Sequence, residues 1–183
     1  MVQQEMAFGK WGGKRKGAGR KPVGRKAGVS HKARPVLKRR FPVHVTWRMR
    51  EGVWNLRAQR CLGVLQRAFL AGSKQSFQIV HYSVMGNHIH LLVEAEDQRS
   101  LSRGMQGLGI RIAKGLQKVM GRLGHVIKER YHAHILKTPT EVKNARRYLL
   151  NNAHHHFGLT VDDWCASQTP LLPPRTYLLR MAC

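Results

Sequence analysis

From residue 41 onward, apolar positions recur in two different periods, and the switches between them outline the elements. In FPVHVTWRM (41–49), Val43, Val45 and Trp47 alternate with His44, Thr46 and Arg48, the period of two that marks a half-buried strand. EGVWNLRAQRCLGVLQRAFLAG then carries Val53, Leu56, Leu62, Leu65 and Phe69 at mostly helical spacing and predicts a helix. SFQIVHYSVM (76–85) and HIHLLVEAE (88–96) predict two more strands, and the Gly86-Asn87 link between them is good hairpin chemistry. Residues 100–121 set Leu101, Met105, Leu108, Ile112, Leu116 and Val119 three or four apart, a second helix. YHAHILK (131–137) predicts a fourth strand.

The last clear element is TPTEVKNARRYLLNNAHHHFG. Thr138 suits an N-cap, Pro139 the first helical position, and Glu141 three residues after Thr138 completes a capping box; Gly158 offers a stop. The order β-α-β-β-α-β followed by an extra helix predicts an α+β fold of the ferredoxin-like, split βαβ kind. That fold is a mostly antiparallel sheet with helices on one face. The extra helix, 138–157, has to pack near the sheet. The stretch 159–183, with Pro170, Pro173 and Pro174, reads as an irregular tail that wraps or packs on the domain of residues 41–158.

Residues 1–40 follow no such period. They are rich in Lys, Arg and Gly, and their isolated apolar residues bury too little surface to offset ordering, so a disordered basic arm is expected. Its GRKP, around Arg20, Lys21, Arg25 and Lys26, loosely resembles the Gly-Arg-Pro core of minor-groove AT-hooks; a solvated tail that touches phosphates without sequence preference is the plainer reading. The whole chain carries 33 basic against 9 acidic residues, a formal charge of +24. Such an excess points to a polyanionic partner, nucleic acid before an acidic membrane surface. No run of 18 apolar residues and no apolar leader is present. Cys61, Cys165 and Cys183 are too few and too scattered for a disulfide framework, and without a CxxC pair a reducing cytoplasm is expected.

The chemistry collects on two elements. In a strand, His88 and His90 point one way and Ile89 the other, so two imidazoles about 7 Å apart can share an ion or simply line a wet surface. His132 and His134 form a rival pair with the same spacing, and His132 can face the same cleft. On the extra helix Tyr148 and Asn152 share a face beside the apolar stripe Val142, Ala145 and Leu149. If that helix lies across the histidine strand, two imidazoles and an amide oxygen can hold a divalent ion, with Tyr148 placed as nucleophile toward a phosphate. Read alone, Tyr148 is a half-buried helix tyrosine. Glu94 shares the histidine face and either orients an imidazole or serves the structure. Arg103, Arg111, Lys114, Lys118 and Arg122 read as a solvated helix face, with phosphate contact open to some of them, notably Arg111 and Lys114. His154, His155 and His156 form a polar helix end, and Trp47, Trp54 and Trp164 belong to core or rim.

MGNHIHLLVE, LSRGMQGLGIRIAKGLQ, ERYHAHIL and ARRYLLNNA, in that order, resemble the single-tyrosine transposases of the HUH superfamily, and most of all the REP-associated tyrosine transposases. The resemblance covers roughly residues 41–158. It implies a ferredoxin-like endonuclease that cuts single-stranded DNA beside imperfect hairpins. It also implies a 5′-phosphotyrosine intermediate, strand transfer, and Mg²⁺ or Mn²⁺ as cofactor. His88 and His90 would be the HUH pair, Tyr148 the nucleophile and Asn152 the third ligand. Two positions depart from the pattern: Ala153 stands where a proline follows the asparagine, and Gly86 where a proline precedes Asn87. Relatives act alone or exchange the tyrosine helix, so monomer and homodimer both stay open. Two other readings remain: a domesticated DNA-binding protein of the same fold that grips without cutting, and a basic RNA-associated protein that needs no metal.

Overall fold

Four strands, β1 (Val43–Arg48), β2 (Phe77–Val84), β3 (His88–Ala95) and β4 (His132–Ile135), pair antiparallel in the order β2-β3-β1-β4. Three helices, α1 (Gln59–Gly72), α2 (Gln98–Met120) and α3 (Pro139–Phe157), and a short α4 (Tyr177–Arg180) complete the chain order β1-α1-β2-β3-α2-β4-α3-α4. This is the expected α+β, ferredoxin-like split βαβ sheet. The computed structural model describes residues 35–157 and 164–182, and of residues 153–157 the backbone alone. The basic arm with Arg20, Lys21, Arg25 and Lys26, and the side chains of His154 to His156, lie outside the described residues.

The alternation along the strands divides the sheet into two faces. On one, Val43, Val45, Trp47, Ile89, Leu91 and Val93 pack against Leu62, Leu65 and Phe69 of α1 and Leu101, Met105, Leu108 and Ile112 of α2. Close approach of α2 depends on glycine: a Cβ on Gly104 would fall on the ring of Phe77, and one on Gly109 would sit 2.6 Å from Trp47 Cη2. The core begins ahead of residue 41, because Leu37 is buried in it and Lys38 bridges Asp97. Among the described residues no helix is long and apolar enough to cross a membrane.

Helix α1 is shorter than its apolar spacing suggests. Leu56 is fully buried but not helical: its N–H donates to Gly86 O at 2.9 Å. The Asn55 side chain accepts from Arg57 N at 3.0 Å, and Gly52 sits at φ 80. Local side-chain and turn bonds there compete with helix, so the helix waits until Gln59. The α3 start follows its sequence signal, with Glu141 N donating to Thr138 Oγ1 at 3.2 Å. The Glu141 carboxylate reaches one residue further back than a capping box requires, accepting from Lys137 N at 2.6 Å.

Helix α3 covers the other face. Its stripe Val142, Ala145 and Leu149 meets Val80 of β2, Leu92 of β3, Leu136 and Leu179. Val80 reaches this cluster through a bulge, where the β2–β3 register shifts between Ile79 and His81. The tail then runs along the outer edge of β2: Val84 N donates to Cys165 O, Ser167 N to Tyr82 O and Leu171 N to Val80 O, all within 3.0 Å. It thereby satisfies an edge that would otherwise invite another strand.

Candidate active site

On the α3 side of the sheet, the polar halves of three adjacent strands come together. Antiparallel pairing sets Thr46 opposite His90, Arg48 opposite His88, His44 opposite His134 and Thr46 opposite His132. Residues directly opposite each other share a face. Five imidazoles therefore stand on one surface, His90 buried and His132 and His134 exposed. The two histidine pairs that compete in the sequence are neighbours here, flanking β1.

Helix α3 sets its phenol against one of them. With its apolar stripe fixed on Val80 and Leu92, Tyr148 turns toward His90, with 5.2 Å between ring centroids and planes at 87°. It also meets His44, at 6.1 Å and 65°. His88 completes the group, 4.9 Å from His90 ring to ring. The phenol is 41% exposed, so a substrate can reach it from solvent.

Sequence patterns missed His44, which reads only as the polar half of an alternation. The register of β1 on β3, invisible in the sequence, brings its Nε2 to 3.2 Å from His90 Nδ1. Thr46 Oγ1 lies 3.1 Å from the same nitrogen. Burial, and then the charges at His134 and His132, lower the His44 pKa from 6.5 to about 4, so the ring is neutral at ordinary pH. On the opposite flank the Asn87 carboxamide oxygen accepts from His88 Nδ1 at 2.7 Å, which leaves His88 Nε2 as a lone-pair donor.

Asn152, one helical turn beyond Tyr148, is completely buried, and neither its carboxamide oxygen nor its nitrogen has a hydrogen-bond partner among the described residues. Ser83, opposite His90 across β2 and β3, is a second such side chain, its buried hydroxyl also without a partner among the described residues. Leaving a buried polar group unpaired costs about 1–3 kcal/mol, so such groups usually mark a bound water or ion. Among the described residues no three His, Cys, Asp or Glu side chains converge to hold an ion. His88 and His90 offer imidazole nitrogens and the buried Asn152 carboxamide an oxygen, donor types that a divalent cation accepts.

Glu94, the α2 cations and the tryptophans each take a definite place. Glu94 orients no imidazole: its buried carboxylate accepts from Gln78 Nε2, Thr176 N and Thr176 Oγ1, each at 2.7 Å, and from Arg175 N at 2.9 Å, fastening the tail. Arg111 and Lys114 are exposed on α2, on the other side of the sheet from Tyr148. There Arg111 joins Lys74, Arg99 and Arg103 around a cleft of about 310 Å³. Trp47 is core, its indole N–H donating to Glu129 O at 2.9 Å, whereas Trp54 and Trp164 are exposed.

A family model for IS200-like transposases matches residues 38–152, from just before β1 to Asn152. No curated protein matches the chain. Among solved structures, a REP-associated tyrosine transposase bound to a REP hairpin matches with a TM-score of 0.61 at 18% identity, over 76% of this chain and 83% of that one, a likeness of fold. A protein of Deinococcus radiodurans described as a candidate transposase matches with a TM-score of 0.45 at 16% identity, over 68% and 97%. The family match takes in the whole sheet, the histidine pairs and the tyrosine helix: the chain belongs to the IS200-like transposase family.

Proposed function

We propose that this transposase is a metal-dependent, single-tyrosine enzyme that cuts and rejoins single-stranded DNA beside hairpins. The observation that carries the reading is the edge-on meeting of Tyr148 with His90, on the helix that also buries the Asn152 amide, unpartnered among the described residues. The fold-level likeness to a transposase bound to a REP hairpin favours hairpin DNA as substrate. The charge of +24 supplies the attraction for phosphate, through the arm at Arg20, Lys21, Arg25 and Lys26 and through exposed cations such as Arg111 and Lys114.

In this mechanism the Tyr148 oxygen attacks the scissile phosphorus as its proton passes to solvent, which reaches the exposed phenol. The P–O3′ bond breaks, a proton from water completes the 3′-hydroxyl, and the strand's 5′ phosphate stays on Tyr148. Attack by another 3′-hydroxyl on that phosphotyrosine reverses the step and joins the strands. His88, His90 and Asn152 would hold Mg²⁺ or Mn²⁺, which when bound withdraws charge from the phosphate oxygens. Arg48, opposite His88 in register and exposed, is placed to touch the neighbouring phosphate.

The test is a pool of single-stranded oligonucleotides with imperfect hairpins and randomised flanks, incubated with Mn²⁺ and resolved under denaturing conditions. The expected result is a covalent protein–DNA band that His88→Ala, His90→Ala and Tyr148→Phe each abolish. Tight binding with no adduct in any divalent metal would instead establish a DNA-binding protein of the same fold.

A further inference from the structure

An imidazole offers an ion only the ring nitrogen that carries no proton, so the group that fixes the proton on one nitrogen decides whether the other can ligate. For His88 that group is Asn87, whose amide oxygen takes the Nδ1 proton. For His90 the contacts at Nδ1 come from another strand. Its Nδ1 looks across to β1, where Thr46 Oγ1 lies at 3.1 Å and His44 Nε2 at 3.2 Å.

These two partners differ in what they impose. A hydroxyl rotates, so Thr46 can accept from Nδ1–H or donate to a bare Nδ1, and alone it selects neither tautomer. His44 is rigid: only one of the two facing nitrogens carries a proton, and the arrangement that leaves His90 Nε2 as a lone pair is the one in which His44 keeps its own proton on Nδ1 and accepts from His90 Nδ1–H at Nε2. The same ring meets Tyr148 at 6.1 Å, and so touches the bases of both halves of the site.

We infer that His44 is a positioning residue: with Thr46 it fixes the Nδ1–H tautomer of His90, so that His88 and His90 present matching Nε2 donors. The inference rests on the proposed metal role of that histidine pair. It goes beyond that role by assigning a residue outside the ligand set to set the ligand's protonation pattern. A ring that merely filled space could be replaced by an apolar side chain of similar size without consequence. This one could not.

Two readouts on the full chain decide it. In metal-free protein labelled with ¹⁵N-histidine, long-range ¹H–¹⁵N correlation should show His90 protonated at Nδ1. In His44→Leu it should show a population shifted toward the Nε2–H form, or exchange between the two. His44→Gln, whose amide oxygen can stand near the lost Nε2, should restore the Nδ1–H form. Mn²⁺ affinity, followed by electron paramagnetic resonance of the free ion, should fall roughly 10- to 100-fold in His44→Leu and recover in His44→Gln. An Nε2–H tautomer in the unaltered protein would overturn the inference, and that result needs no variant to fold. So would a folded His44→Leu variant with unchanged tautomer and Mn²⁺ affinity. If the unaltered protein binds no Mn²⁺ while its tautomer still depends on His44, the positioning role stands and the metal reading fails, so the two are separable.

Discussion

Tyr148 meets His90 edge-on, one ring 41% exposed and the other 4%. The phenol stands at the mouth of the site and the imidazole at its floor. What aims the phenol is the next residue, Leu149, which is fully buried among Val80, Leu92 and Leu179. Leu149→Ala should cost about 3 kcal/mol in urea denaturation, through lost burial and the cavity left behind. Leu150→Ala, at a partly exposed position one step round the helix, should cost less than about 1 kcal/mol. Equal losses would mean that the stripe does not seat the helix.

Glu94 makes the analogous test for the tail. Glu94→Ala strands the donors at Gln78, Arg175 and Thr176 in a buried setting and removes the anchor ahead of α4. Limited trypsin digestion should then cut after Arg175 at least about tenfold faster, the factor that 1.4 kcal/mol of loosening gives. Glu94→Gln, which keeps one acceptor oxygen, should fall between the two. An unchanged cleavage rate in Glu94→Ala would show that the tail is held by other contacts.

Two glycines on α2 should respond with opposite signs to the same change. Gly104→Ala drives a methyl into the Phe77 ring, and overpacking of about 1–3 kcal/mol outweighs the roughly 1 kcal/mol that alanine gains in a helix. Gly107→Ala meets only Arg111 Nη1, at 3.3 Å on a flexible exposed side chain, so the helix gain should survive as about 0.5–1 kcal/mol of added stability. Thermal melting of the two variants checks both signs.

Stability should fall in mild acid. Burial, ahead of the charges at His134 and His132, holds His44 at about 4 instead of 6.5. Burial also lowers His81, with a hydrogen bond to the Ser167 carbonyl opposing the shift and Arg146 adding to it. Between the folded and unfolded pKa values the unfolded chain binds more protons, so this stability is complete above pH 6.5 and is lost as pH falls toward 4. For His44 the loss is at most about 3 kcal/mol, reduced by the solvent contact its ring keeps. Urea midpoints of metal-free protein should therefore drop between about pH 7 and pH 5 and drop less in His44→Gln; a flat profile would contradict a neutral, buried ring.

The strands, the hairpin at Gly86-Asn87 and the start of α3 were legible in the sequence because each follows from local alternation or capping. The pairing of Tyr148 with His90 rather than with His132 or His134 was open until α3 was docked, since helical spacing shows which face is apolar and not what that face covers. His44 and Glu94 were illegible for a related reason. Their partners lie 46 and about 80 residues away, and only the β1–β3 register and the path of the tail bring them together. The bulge at Val80 left a trace, because the alternation in FQIVHYSV slips by one residue at Ile79-Val80, but only the β2–β3 register shows that a bulge absorbs the slip.

The strap from Trp164 to Ala182 leaves the ribosome after everything it fastens. Until Leu171 has bonded to Val80, the outer amides and carbonyls of β2 stand bare and the stripe around Leu149 lacks Leu179. A nonsense codon between residues 158 and 163 would therefore yield a chain with an open flank, one that invites a second chain to dock where its own tail should lie.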